Sequence, residues 1–200
     1  MIFVADDSDD LYSFSFLYNH MLHSGQAIKI IKGGTPAVGR NKGAAMVTTP
    51  YVLFMDADIH LTTPNILQQC LDTAIKGDYD LVTCKFKTFE SKYNWIYRLF
   101  DKFQWISSKS RPFALGGFML FKTSKFNELG GFNEKDKIAE DYHLSSKIAP
   151  NKFKIVDAYV YTPARRFKNK GIFYMAKIFF MGWWNRNNDK WFEKDFDYWK

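Results

Sequence analysis

The sequence predicts an α/β domain in which a mostly parallel, Rossmann-like sheet is flanked by helices. Three observations lead there. Short apolar runs alternate with amphipathic stretches along almost all of the 200 residues, as in strand–helix–strand units. One run, YVLFM at 51–55, is continuously apolar, as a strand buried on both faces should be. Acidic clusters also follow two of the apolar runs, and open parallel sheets bind ligands just beyond the carboxyl ends of their strands.

In chain order, IFVA (2–5) reads as a strand that runs into the acidic turn DDSDD (6–10). LYSFSFLYNHML (11–22) has apolar residues at helical spacing, and IKII (28–31) is a second strand closed by Gly33 and Gly34. TPAVGRNKGAAMVTT (35–49) reads as a loop and a short helix leading to the strand YVLFM. In TPNILQQCLDTAIKG (63–77), Thr63 is placed as a cap, Pro64 in the first turn and Gly77 as the stop of a helix. DLVTCKF (80–86) is a strand, an aromatic helix covers 92–107, FMLF (118–121) is another strand, a helix follows Glu140, and FKIVDAYVYT (153–162) holds the last strands. No repeat or linker interrupts this order. The chain is therefore read as one domain over 1–164 with a basic, aromatic extension of the same domain over 165–200.

Composition narrows the partners. Lys plus Arg number 28 against 21 Asp plus Glu, a net charge of +7, which favours nucleotides, phosphates, nucleic acid or a lipid surface. No nucleic-acid-binding module accompanies the charge, so nucleic acid is not expected as a partner. Cys70 and Cys84 show neither metal-ligand nor disulfide spacing, which fits a reducing compartment. MIFVADDSDD reaches acids after five residues and does not read as a secretory leader. IFYMAKIFFMGWW (172–184) contains Lys177 and falls short of the roughly 20 apolar residues that span a bilayer. The expected location is cytoplasmic, peripheral at the inner face of a membrane. Residues 165–200 carry nine Lys or Arg and twelve aromatics, including four of the six Trp, which suits contact with a membrane interface through 172–199. The same aromatics would equally serve to cover the domain's own core.

Asp56 and Asp58 end the buried strand two residues apart. On an extended chain they would face one ligand, and hard cations such as Mg²⁺ or Mn²⁺ take carboxylate oxygens while leaving sites for phosphates. Acids after a strand also serve simply as turn formers. DDSDD supplies a second cluster at the same edge of the sheet.

With these segments in place the chain resembles the family 2 glycosyltransferases of the GT-A (nucleotide-diphospho-sugar transferase) fold. VADDSDD (4–10) is similar to that family's Val-Val-Asp-Asp-Gly-Ser turn, VGRNKGAA (38–45) to its Ala-Arg-Asn-x-Gly helix start, and YVLFMDADIHLTTP (51–64) to its strand with Asp-x-Asp. ALGGFMLFKTSKFNELGGFNE (114–134) resembles the Gly-Gly strand and the Gly-Gly-Phe-Asp-Glu turn. IAEDYHLSSKI (138–148) resembles the Glu-Asp motif, and YTPARRFKNKG (161–171) a segment with paired arginines.

The resemblance implies an inverting transferase that takes a sugar from a UDP- or GDP-sugar and passes it to a glycan or polyprenyl-phosphate acceptor with Mg²⁺ or Mn²⁺. It implies that Asp7 meets the nucleobase, Arg40 the nucleotide, and Asp56 the ribose or the metal. Asp58 would bind the cation that bridges the diphosphate. Asp141 matches the catalytic base, with Glu140 orienting its turn or an acceptor hydroxyl, and His143 reads as structural rather than as a ligand. Gly116 and Gly117 would let a sugar or acceptor approach the backbone, or form a tight turn. Arg165 and Arg166 could clamp the diphosphate or a lipid phosphate, or belong to a solvated loop.

In one respect the chain departs from the pattern. Family members carry a further strand and helix ahead of the VADDSDD strand, and that strand lies between those ending at Asp7 and Asp56. The alternative to an active enzyme is thus a truncated, non-catalytic relative that binds nucleotide or a membrane surface.

Overall fold

Six strands and eight α-helices form along residues 1–7 and 27–196, which the computed structural model describes. The helix expected over 11–22 and the acids Asp9 and Asp10 lie outside those residues. β1 (Ile2–Asp6) pairs in parallel with β2 (Ile28–Lys32), and α1 (Pro36–Ala44) follows, its start fixed by the Thr35 hydroxyl, which accepts from the Val38 N–H, and by Pro36. Next come β3 (Tyr51–Met55), α2 (Ile66–Lys76), β4 (Leu81–Thr88), α3 (Asn94–Ser107), β5 (Phe118–Lys122) and α4 (Thr123–Glu128). The chain continues through α5 (Glu140–Ser145), β6 (Phe153–Thr162), α6 (Arg165–Lys170), α7 (Ile172–Trp184) and α8 (Asp189–Phe192).

The larger sheet has the order β3-β5-β4-β6. β4 and β6 are parallel, whereas β5 is antiparallel to both β3 and β4, so β3, β4 and β6 share one direction and β5 alone is reversed. The mostly parallel α/β architecture is as expected. Among the described residues β1 and β2 form a sheet of their own, so the strands divide between β1 and β3, where the resemblance puts a further strand. α1 spans that division. It packs on β1, with Gly39 against the Ala5 side chain, and its Ala37 and Ala44 join the apolar cluster around Val52 and Phe54 of β3.

β3 is buried from both sides because its alternate side chains enter different cores. Val52 and Phe54 pack with Phe121, Phe126 and Phe132, the Phe54 ring lying 4.9 Å from Phe126 and 5.1 Å from Phe132. Tyr51 and Leu53 face the cluster built from α2, β4 and β6 around Ile66, Val82 and Val160. Burying each such side chain contributes about 1.5–3 kcal/mol. A third cluster joins Phe113, Ile138 and Tyr142 to Ile178, Trp191 and Phe192. The aromatics after residue 165 therefore divide by face: Phe167, Trp191 and Phe192 are core, while Phe173, Phe180 and Trp184 are exposed.

The start of α2 needs correction. Thr63 does not cap α2. Its hydroxyl donates to the Tyr159 carbonyl at 2.8 Å and accepts from the Tyr159 N–H at 3.2 Å, pinning the segment to β6. The left-handed Asn65 (φ 56°) then delays the helix to Ile66. Gly77 does end α2, with its N–H on the Thr73 carbonyl at 3.0 Å. The paired arginines, for which a solvated loop was the alternative to a phosphate clamp, open the short helix α6. Cys70 and Cys84 are free and buried, and burial pushes the Cys70 thiol up to about 11. No helix among the described residues is long and apolar enough to cross a membrane.

Candidate active site

The end of β3, the start of β5, the first turn of α5 and the end of β6 surround a cavity of about 540 Å³. Arg40, Asp56, Asp58, Gly116, Gly117, Glu140, Asp141, Arg165 and Arg166 all line it. Of the residues singled out for donor, metal or base, only Asp7 is not part of this lining; it lies exposed just past β1.

The two acids after β3 are held by a turn rather than by the extended chain expected for them. β3 stops at Met55, the Asp56 N–H donates to the Gly117 carbonyl at 3.3 Å, and the Ile59 N–H closes on the Asp56 carbonyl at 3.1 Å. His60 then exchanges both backbone bonds with Tyr161 of β6, at 2.8 and 3.0 Å, which anchors the turn to the far edge of the sheet. Both carboxylates still reach the same cavity, with different partners. Asp56 Oδ1 meets Arg40 Nη2 at 2.7 Å, and Asp58 Oδ2 meets Arg165 Nη2 at 3.4 Å.

Arg40 is engaged on both sides, because its Nη1 also donates to Glu140 Oε1 at 2.6 Å. Its guanidinium lies 5.3 Å from the centre of the Phe132 ring. Burial works against its charge, but the carboxylates of Glu140 and Asp56 outweigh burial and hold it firmly protonated. The neighbouring Asn41 acts on backbone instead: its amide donates to the Phe132 carbonyl at 2.8 Å and its oxygen accepts the Phe132 N–H at 3.0 Å. Gly131 sits at φ +74° beside that clamp, where a Cβ would come within 2.7 Å of Asn41 Oδ1. Thus Arg40 and Asn41 join α1 both to the Gly-Gly-Phe turn and to the Glu-Asp turn.

Asp141 opens α5 with both oxygens on backbone donors, Oδ2 on the Gly116 N–H at 2.6 Å and Oδ1 on the Tyr142 N–H at 2.7 Å. Burial raises its pKa, while Arg40 and those two N–H groups pull the other way. Glu140 is raised as well, first by burial and then by Asp141, against the pull of Arg40. A carboxylate lifted toward neutrality yet facing a cavity is suited to accept a proton.

No group of three or more His, Cys, Asp or Glu gathers as a cation cage among the described residues. Asp56 and Asp58, each 37% exposed at the side chain, offer two oxygen donors on the cavity wall. That donor set fits a hard cation shared with a substrate diphosphate, since Mg²⁺ typically uses one or two carboxylates plus phosphate oxygens. His143 is no part of such a set. It is buried between Asp136 at 2.7 Å and Asp189 at 3.3 Å, stacked on Phe192.

The cavity also has an apolar half that sequence reading missed. Tyr97, Phe100 and Phe103 of α3 line it, with Phe113 and with Ile178 and Phe179 of α7. The repeated spacing of three at 97, 100 and 103 places these rings along one side of a helix, and that was the readable signal.

Comparison with known proteins agrees with this arrangement. Residues 1–133 match the family described as Glycosyl transferase family 2. No curated relative matches the chain. Among solved structures, the chain is similar to the mannosyltransferase PcManGT from Pyrobaculum calidifontis in complex with GDP-Man and Mn²⁺. The TM-score is 0.66 at 18% identity, covering 88% of this chain and 54% of that one. It is also similar to residues 1–349 of S. aureus TarS in complex with UDP-GlcNAc, with a TM-score of 0.61 at 17% identity, covering 82% and 49%. The chain thus spans about half the length of these structures, and the likeness is one of fold. On the match over two thirds of its length, with the GT-A arrangement of its strands, the chain belongs to glycosyl transferase family 2.

Proposed function

We propose that this chain transfers a sugar from a UDP- or GDP-sugar to an acceptor hydroxyl or lipid phosphate, inverting the anomeric centre, with Asp141 as base. The observation that carries the reading is the placement of Asp141. It is a half-buried carboxylate held by the Gly116 and Tyr142 N–H groups and raised by its surroundings, on the same cavity as a strand-end acid pair and two arginines. Donor-binding proteins of the same fold, one with GDP-Man and one with UDP-GlcNAc, support the donor class.

On this reading Asp7 meets the nucleobase and Asp56 the ribose, while Arg165 and Arg166 bind the diphosphate. The bare backbone at Gly116 and Gly117 lets the sugar lie against β5. Arg40 serves the nucleotide through the acids it holds. Asp141 takes the proton of the acceptor hydroxyl as that oxygen attacks the anomeric carbon; the bond to the diphosphate oxygen breaks, and one displacement inverts the centre. Asp58, with Asp56, would hold Mg²⁺ or Mn²⁺, which when bound neutralises charge on the departing diphosphate. An acceptor on a polyprenyl phosphate agrees with peripheral contact of residues 172–199 at the inner face of a membrane.

The sheet's division between β1 and β3 favours a second reading, a nucleotide-binding relative that does not turn over. One experiment separates the two. UDP- or GDP-sugar is expected to raise the melting temperature only with Mg²⁺ or Mn²⁺, and Asp58→Ala to abolish the shift. Asp141→Asn should keep the shift but lose release of nucleoside diphosphate in the presence of acceptor. A shift without turnover in the parent chain supports the second reading, and no shift with any nucleotide sugar overturns both.

A further inference from the structure

Two neighbouring helices expose apolar stripes that sugar transfer leaves without a role. On α7 the stripe is Phe173, Phe180 and Trp184, spaced i, i+7 and i+11 and therefore on one face, with Lys177 among them; Phe173 is 92% and Trp184 69% exposed. On α3 it is Trp95, Leu99 and Ile106, spaced i, i+4 and i+11, with Arg98 and Lys102 alongside. Trp105, also exposed, lies next to this stripe with the Lys109 ammonium 3.8 Å from its ring centre. The opposite faces of the two helices pack together, Phe100 against Phe179 at 4.4 Å, so both stripes turn away from the core. Apolar surface gathered in this way marks an interaction site.

We propose that the outer faces of α3 and α7 together dock the protein on an anionic lipid surface. The charges select this occupant. α7 contains no acid, and the single acid of α3, Asp101, is half-buried and turned to the Phe86 N–H. A second copy of the face would set Arg98, Lys102 and Lys177 against their like. The middle of a protein interface is depleted in Lys, whereas a bilayer takes the rings to headgroup level and lets long basic side chains reach the phosphates. The surface also adjoins the cavity. Trp183 lines the cavity while its ring contacts Phe180 at 6.2 Å and Trp184 at 6.5 Å, and the inner faces of both helices form the cavity's apolar half. A hydrocarbon chain passing from the bilayer into that half would bring a lipid-linked acceptor toward Asp141; this step, unlike the docking, rests on the transferase reading.

The test is co-sedimentation of the full chain with phosphatidylcholine vesicles that contain or lack phosphatidylglycerol, at low and high salt. Binding is expected with the anionic vesicles, weakening as salt rises. Phe180→Ser with Trp184→Ser, and separately Trp95→Ser with Leu99→Ser, should each weaken it by about tenfold or more. All four side chains are exposed, so the variants should keep the circular dichroism of the parent and its donor-dependent melting shift, which keeps this result apart from the transferase reading. No binding by the folded parent, or binding unchanged in both variants, overturns the proposal. So does a dimer seen by light scattering that both pairs of substitutions dissolve while vesicles fail to bind.

Discussion

Arg40 is one cation shared by two carboxylates, and its loss would leave Glu140 buried without a partner. Breaking a buried pair from one side costs about 3–5 kcal/mol, so Arg40→Ala should lower the unfolding free energy obtained from urea titration by an amount in that range. Adding Glu140→Gln should recover part of the loss, because the stranded charge is then gone. Asp101 gives a prediction in pH. Burial lifts it to about 6, against the pull of the Phe86 N–H, Lys85 and Lys87, whereas an unfolded chain would titrate it near ~3.9. The folded state thus holds the proton more tightly, and the penalty for ionising Asp101 is absent below pH ~4 and fully present above about 6. Asp101→Asn keeps an acceptor for the Phe86 N–H. It should stabilise the protein at pH 7 by about 1 kcal/mol, after allowance for solvent, and not at pH 4. The acids of this site were legible in the sequence because each follows an apolar run or opens a helix. The Arg40–Glu140 pair was not, since its partners are 100 residues apart and no local pattern links them.

The elements carry their own constraints at the start of β5. A Cβ on Gly117 would come within 2.9 Å of Ile59 Cδ1 and 3.0 Å of the buried Phe86 ring, so Gly117→Ala should cost about 1–3 kcal/mol in thermal or urea unfolding. A Cβ on Gly116 would instead press on Arg40 Nη2 at 3.0 Å and Asp141 Oδ2 at 3.1 Å. Gly116→Ala should therefore lower turnover more than it lowers stability, a split that kcat and a melting curve measured side by side would show. Every described strand stood where an apolar run predicted it, because burial on a pleated surface leaves its mark in the residues themselves. Strand direction leaves none. FMLF has the same composition whether it runs with β3 or against it, so the reversal of β5 appears only in the ladder. The start of α2 was misread for a similar reason: Thr63 is an ordinary capping residue, and what recruits it elsewhere is the Tyr159 backbone, 96 residues on.

At the scale of the molecule, α5 carries the proposed base, Asp141, but does not support itself. Its six residues rest on the C-terminal segment: Tyr142 on Phe192 at 6.4 Å between ring centres, and His143 stacked on Phe192 with its Nε2 3.3 Å from Asp189. Phe167, Met175, Ile178, Trp191 and Phe192, all from 165–200, are buried in the clusters that also hold Tyr97, Phe113 and Tyr142. At about 1.5–3 kcal/mol for each side chain, their combined burial is comparable to the roughly 5–15 kcal/mol by which a domain is stable. A chain ending at residue 164 should therefore lose its near-ultraviolet circular dichroism and its cooperative urea transition, and bind a hydrophobic dye. If it kept a sharp transition, the extension would be a separate unit and the orientation of Asp141 would have to come from β5 alone. The division between the sheets sets a second gradient of stability. β4 is laddered to β6 along its whole length, whereas β1 has β2 as its one partner among the described residues. Amide exchange should therefore be slowest in β4 and faster in β1 and β2. A donor that draws Asp7 toward the cavity should slow exchange in β1, because the ligand then spans the two sheets; unchanged exchange in β1 with bound donor would remove Asp7 from the nucleotide site.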